Sequence, residues 1–354
     1  MIFVNSRFFF QKVTGVQRWA LEISYHLSRL DSSLKFITFK QNLDPSRDHL
    51  NVLFCGFFRG HLWEQIDLPL FLYRKGNPLL INLCNTAPLL YVNQLVSILD
   101  LSFIRNPSWF SKKFVLFYRF LIPKIAKRAK KIITISEFSR QEIVSLLNIP
   151  GEKIEVIYCG VSERLKFFSQ KDFPNKYGQY ILTVSSLNPR KNFGNLILAF
   201  NKLKLKNLKL VIVGDFDSRV FSNQVLSDLI LGNPNIIRVG YVSDQELSGL
   251  YKNALLFVYP SLYEGFGLPP LEAMSCGCPV VVSNIASLLE VCGTAAYYVN
   301  PHDINDIARG IYTVLKNKDL RDDLIKKGYD RARLYTWHGS AQKMMRLIRE
   351  VVNG

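Results

Sequence analysis

The chain has 354 residues, 48% hydrophobic and 21% charged, a globular composition too long for one ordinary core and suited to two domains. Its net charge of +17 is uneven, with 24 Lys and Arg against 13 Asp and Glu in residues 1–175 and 21 against 15 in residues 176–354. No apolar run approaches the roughly 18 to 20 residues of a membrane span, no nucleic-acid motif accompanies the charge, and six scattered cysteines read as buried free thiols.

The opening run MIFVNSRFFFQK has no charged leader or long apolar core, so a chain that stays in the cytoplasm is expected. Residues 2–4 begin a strand, and 15–30 have the amphipathic spacing of a helix. Further strands are expected at 79–82, 95–98 and 131–135, a helix at 138–147, and a strand at 153–157. Between them, residues 109–131 interleave Lys112, Lys113, Arg119, Lys124, Lys127, Arg128, Lys130 and Lys131 with Phe, Leu and Ile. Such a stretch can lie on an anionic leaflet, each basic residue adding about 1 kcal/mol; a core helix with a basic solvated face is the alternative.

The pattern lapses over residues 160–172, where a domain boundary is expected. Strands then follow at 180–184, 208–214, 236–240, 254–259 and 279–283, separated by helices at 193–205, 224–231 and 244–252. Near-continuous apolar strands alternating with helices indicate parallel sheets covered on both faces. The expected fold is therefore α/β, two doubly wound domains facing each other across a cleft, with ligands beyond the carboxyl ends of the strands.

Three segments in such loops have chemistry. In Tyr259-Pro-Ser-Leu-Tyr-Glu-Gly-Phe-Gly-Leu-Pro-Pro-Leu-Glu, Gly265 and Gly267 allow a tight turn whose N–H groups can face an anion. Pro269 and Pro270 suit the first turn of a helix, and Gly277 is placed to end it after about two turns. The positive end of that helix would then face a phosphate, while Glu264 and Glu272 accept hydrogen bonds from sugar and ribose hydroxyls. In Val184-Ser-Ser-Leu-Asn-Pro-Arg-Lys-Asn192, the Arg190–Lys191 pair can neutralise charge growing on a leaving diphosphate. In Lys12-Val-Thr-Gly-Val-Gln-Arg18, between the first strand and the first helix, Arg18 either reaches the cleft or covers a solvated face.

The first segment resembles the E-x7-E signature of the retaining glycosyltransferase family 4, whose members have the GT-B fold of two Rossmann-like domains. The resemblance implies that Glu264 contacts the transferred sugar and Glu272 the ribose, with Gly265, Phe266, Gly267 and Leu268 along the diphosphate. It places Arg190 and Lys191 on the pyrophosphate, Gly15 in the glycine loop, and Tyr241 and Val242 in a base-binding loop. Domain bounds of 1–165 for the acceptor and 166–335 for the nucleotide sugar are expected, with a last helix, 336–354, crossing back to the first domain.

Many relatives have a His-Asp pair where this chain has Leu99-Asp100, which leaves Asp100 as the candidate for acceptor contact or deprotonation. Asp215 and Asp217 have a spacing that binds manganese in the other major transferase fold. Because such spacings are common and the helix terminus with Arg190 and Lys191 can do a cation's work, no metal or other cofactor is expected. The implied reaction is retaining transfer of a hexose from a GDP- or UDP-sugar to a lipid-linked oligosaccharide of bacterial O-antigen or capsule assembly. The expected setting is peripheral, on the inner face of the cytoplasmic membrane, with no nucleic acid. A sugar-nucleotide epimerase, a phosphorylase or a non-catalytic nucleotide-sugar-binding subunit are the alternatives. Replacing Arg190 or Lys191 by Ala is expected to depress turnover and leave the fold intact.

Overall fold

The computed structural model describes residues 1–40, 50–163, 165, 173–186, 188–214 and 232–353. The chain divides into two compact units: residues 1–107, 112–160 and 337–354, and residues 108–111 with 161–336. The expected helix at 224–231, Asp215, Asp217 and most of the stretch 160–172 lie outside the described residues.

Among the described residues, seven parallel strands build the first unit: β1 (Ile2–Asn5), β2 (Lys35–Thr38), β3 (Val52–Phe54), β4 (Leu79–Asn82), β5 (Gln94–Ser97), β6 (Lys131–Thr134) and β7 (Ile154–Val156). Their order is β3-β2-β1-β4-β5-β6-β7. Chain direction across the sheet reverses between β1 and β4, and the position beyond Asn5 and Asn82, which are register partners, is where sheets of this kind hold ligands. The helix Gly15–Leu30 starts in a capping box between Thr14 and Gln17. Its Trp19 packs against Trp337 of the final helix, Trp337–Asn353. The helix Lys112–Arg128 buries Leu121, Ile122, Ile125 and Ala126.

The second unit has a six-stranded parallel sheet: β8 (Tyr180–Val184), β9 (Lys209–Val213), β10 (Ile236–Gly240), β11 (Leu256–Tyr259), β12 (Val280–Ser283) and β13 (Tyr297–Val299), in the order β10-β9-β8-β11-β12-β13. Its core joins Ile181, Leu210, Ile212, Leu256, Val258 and Val281 of the sheet to Leu196, Ile197, Ile307 and Ile311 of the covering helices. Direction reverses here between β8 and β11. The loops that follow those two strands hold Arg190, Lys191 and Glu264.

Expected strands and helices among the described residues are present, with ends moved by one or two positions. Three strands were not expected. β3 and β13 are three-residue edge strands, too short to show a period, and β2 is a four-residue strand between charged turns.

Candidate active site

In the second unit, β8 runs out into a turn set by asparagines. Asn188 Oδ1 accepts the Arg190 amide at 3.0 Å, Pro189 opens a 3-10 turn, and Asn192 closes it at φ 60°, a left-handed conformation that Asn tolerates. The Leu262 amide donates to the Arg190 carbonyl at 2.7 Å, and Asn192 Nδ2 donates to the Pro260 carbonyl at 3.0 Å. These bonds stitch the loop after β8 to the loop after β11.

The result is a buried cluster. Lys191 Nζ donates to Glu264 Oε1 at 2.6 Å and to Tyr259 Oη at 2.5 Å, and the Lys191 and Glu264 side chains are only 10% and 8% exposed. Burial alone would raise the Glu264 carboxyl, but the charges of Lys191 and then Arg190 overcome it and hold it below its ordinary range. Burial, and next the Glu264 charge, push the Tyr259 phenol well up, so it stays a neutral donor. Lys191 is thus not a bare loop cation. Removing it strands a buried carboxylate, so the expectation that Lys191→Ala leaves the fold intact is corrected.

Beyond Glu264 the chain turns through Gly267 at φ +108°, where a Cβ would lie 2.4 Å from Leu288 Cδ2. The helix Leu268–Ser275 follows, and its end at Cys276 and Gly277 (φ +74°) matches the expected two turns. Pro269 and Pro270 occupy its first turn and have no N–H. Two of the donors an anion would use at a helix start are therefore absent, which leaves the stretch Gly265 to Leu268 as the place where backbone amides meet the start of this helix. The Phe266 ring is buried against Tyr335, 5.6 Å between centroids, so its side chain belongs to the core. Glu272 is also buried and accepts from Tyr251 Oη at 3.1 Å. A cavity of about 330 Å³ lined by Ser275, Cys276, Lys252, Tyr329, Ala332 and Arg333 lies at the opposite end of this helix.

Tyr241 and Val242 follow β10 at the same carboxyl edge of the sheet, with Tyr241 62% exposed. Among the described residues no cluster of three His, Cys, Asp or Glu side chains could hold a metal ion.

The remaining expected residues belong to the first unit. Gly15 is the first residue of its helix, and a Cβ there would meet nothing within 4 Å, so packing does not require a glycine. Arg18 lies 3.9 Å from Glu22 one turn on. Asp100 Oδ1 accepts the Ser102 amide at 3.1 Å and the Ser102 hydroxyl at 2.7 Å, opening the short helix Ser102–Arg105. Leu99 is buried, as a core residue would be.

One constellation went unread in the sequence. Asn5, Arg7, Glu64, Asn82 and Thr86 form a buried polar cluster at the β1–β4 reversal, and His61 caps it. The available signal was an asparagine ending each of two apolar strands, Asn5 and Asn82.

Comparison with known proteins gives the family. Residues 13–164 match the model Glycosyltransferase Family 4, and residues 165–331 match Glycosyl transferases group 1. The chain belongs to glycosyltransferase family 4. This family 4 chain is 34% identical to O-antigen chain mannosyltransferase B of Escherichia coli, over 67% of the chain and 65% of that protein. It is 34% identical to O-antigen chain mannosyltransferase RfbU of Salmonella typhimurium, over 69% and 65%. The chain thus spans just under two thirds of the length of these relatives. Anabaena HepE, solved in complex with UDP and glucose, superposes with a TM-score of 0.78 at 17% identity over 98% of both chains. The fold is GT-B.

Proposed function

We propose that this chain is a retaining, metal-independent glycosyltransferase that moves a mannosyl residue from a nucleotide-diphosphate sugar to a lipid-linked glycan of bacterial O-antigen or capsule assembly. The observation that supports it best is the buried Lys191–Glu264 pair with Arg190 beside it, next to the amides of Gly265 to Leu268. A diphosphate on those amides would meet two cations where its leaving oxygen gains charge, and fixed charges of this kind are a large catalytic term. Glu264, held ionised, accepts hydroxyls of the transferred sugar, and Glu272 those of the ribose. A leaving phosphate oxygen takes the acceptor's proton, so no dedicated base and no metal are needed. Mannose is favoured because both O-antigen relatives are named mannosyltransferases, and a UDP complex in a structural neighbour supports a nucleotide donor.

The first unit would hold the acceptor, with Gly15, Arg18 and Asp100 facing it. The helix Lys112–Arg128 leaves Leu116 75% and Phe120 54% exposed among its lysines, which favours contact with an anionic inner leaflet. Among the described residues no helix is long and apolar enough to cross a membrane.

Thermal-shift measurement against GDP-mannose, UDP-glucose and other nucleotide sugars tests donor binding; a ligand at 100 times its Kd adds about 2.7 kcal/mol. NMR of the product tests retention. No shift with any donor, or an inverted anomeric centre, would overturn the corresponding part of the reading.

A further inference from the structure

The β1–β4 reversal of the first unit is the counterpart of the β8–β11 reversal that holds Lys191 and Glu264. It too is filled with charge. Glu64 lies in a π-helical turn, Trp63–Asp67, a form that often marks functional sites. Its Oε1 accepts from Asn5 Nδ2 at 2.9 Å, Thr86 Oγ1 at 3.1 Å and Arg7 Nε at 3.3 Å. The Glu64 side chain is 1% exposed and that of Arg7 10%. Apolar side chains of the same volume would stabilise such a crevice as well or better, so stability alone does not account for the cluster.

The carboxylate's second oxygen, Oε2, faces outward to His61 Nδ1 at 3.4 Å. An ionised carboxylate only accepts, and burial, which would raise the Glu64 carboxyl, is outweighed by Arg7 and His61, which keep it ionised. Nδ1 must therefore be the donor. With Nδ1 committed to Glu64, Nε2 on the far edge is the ring nitrogen left to meet another group, and its direction is fixed. The imidazole is 41% exposed, and it meets the Phe117 ring in a T-shaped contact, 4.9 Å between centroids. The start of the helix that begins at Gly15 is close by, since Cys84, two residues before Thr86, has its Sγ 4.0 Å from the Val16 carbonyl.

We infer that His61 is an acceptor-contacting residue whose Nε2 forms a hydrogen bond with a hydroxyl of the glycan acceptor, with Glu64 as the positioning residue that orients the ring through Nδ1. This rests on the transferase reading but reaches a residue and a crevice that the reading did not use. A hydrogen bond of this kind is worth about a tenfold change in affinity.

The test is a titration of the full chain, 15N-labelled at histidine, with methyl α-D-mannopyranoside, His61→Asn identifying the His61 signals. The His61 ring signals should move to saturation with the glycoside and stay still with GDP. His61→Asn should weaken glycoside binding about tenfold, and Glu64→Gln should shift the His61 Nδ1 signal. His61 is half exposed, so its variant tests the contact even where Glu64→Gln fails to fold. His61 signals that no concentration of glycoside moves would overturn the inference, whatever the enzyme does. Donor hydrolysis in the same samples reads separately. A wild-type protein that consumes no nucleotide sugar defeats the transferase reading, and one that consumes it while His61 stays unmoved defeats only this one.

Discussion

Lys191 Nζ lies 2.6 Å from Glu264 Oε1, and neither side chain is more than 10% exposed. This ion pair adds a buried charge–charge link to the backbone and amide bonds that join the loop after β8 to the loop after β11 where the sheet reverses. Lys191→Met should cost about 3–5 kcal/mol, because it leaves Glu264 charged and buried. Lys191→Met/Glu264→Gln should recover part of that loss, since it removes the stranded charge. Chemical denaturation of the two singles and the double gives the coupling. Additive losses would mean that the pair is not coupled.

Arg190 separates activity from stability. It acts on Glu264 through its charge and is less buried than Lys191's partner. Arg190→Ala should lower transfer about 10² to 10³ fold with a smaller fall in Tm than Lys191→Met. Initial rates at saturating donor, compared with Tm, decide this; an unchanged rate would remove Arg190 from the catalytic set.

The pair also sets a pH dependence. Glu264 has a folded pKa below its ordinary 4.5, so its ionised form stabilises the fold. That stabilisation is complete above the ordinary value and is lost as pH falls through the folded one. Glu64 has the same sign. Between about pH 5 and pH 3 the Tm should fall, and Glu264→Gln should lose less Tm over that interval than wild type. Parallel curves would show that Glu264 does not drive the acid transition.

Two glycines should behave in opposite ways. Gly267 has φ +108° and faces Leu288 at 2.4 Å from a built Cβ, so Gly267→Ala combines backbone strain with a clash and should destabilise by about 1–3 kcal/mol. Gly15 has open space around its Cβ position, so Gly15→Ala should leave Tm unchanged and raise the KM for a substrate that approaches the backbone. Equal effects on Tm would contradict the packing at Gly267.

How much of this was legible in the sequence depends on separation along the chain. β8 and β11 are continuous apolar runs, and Gly267, Pro269 and Pro270 state their own turn and helix start, so that wall of the site could be read directly. The Arg190–Lys191 loop was legible as chemistry, but not the burial of Lys191 against Glu264, 73 positions away. The cluster around Glu64 was not legible. Trp63-Glu-Gln-Ile-Asp67 has the periodicity of an ordinary amphipathic helix, and its π turn and its contacts to Asn5 and Thr86 exist only once the sheet has brought three loops together.

The basic helix Lys112–Arg128 allows a test of membrane contact. Leu116 is 75% and Phe120 54% exposed, and Lys124 Nζ sits 3.4 Å over the Phe120 ring, so apolar and cationic groups share one surface. An anionic leaflet attracts basic residues by about 1 kcal/mol each. Lys112→Gln/Lys113→Gln/Lys124→Gln should therefore weaken binding to phosphatidylglycerol vesicles about 100-fold and flatten its dependence on salt, because screening acts on those charges. Leu116→Glu/Phe120→Glu should weaken binding while leaving Tm unchanged, since neither side chain is in the core. Vesicle flotation across a salt series measures both. Equal binding to phosphatidylcholine vesicles, or none to anionic ones at low salt, would return this helix to a core element with a solvated basic face.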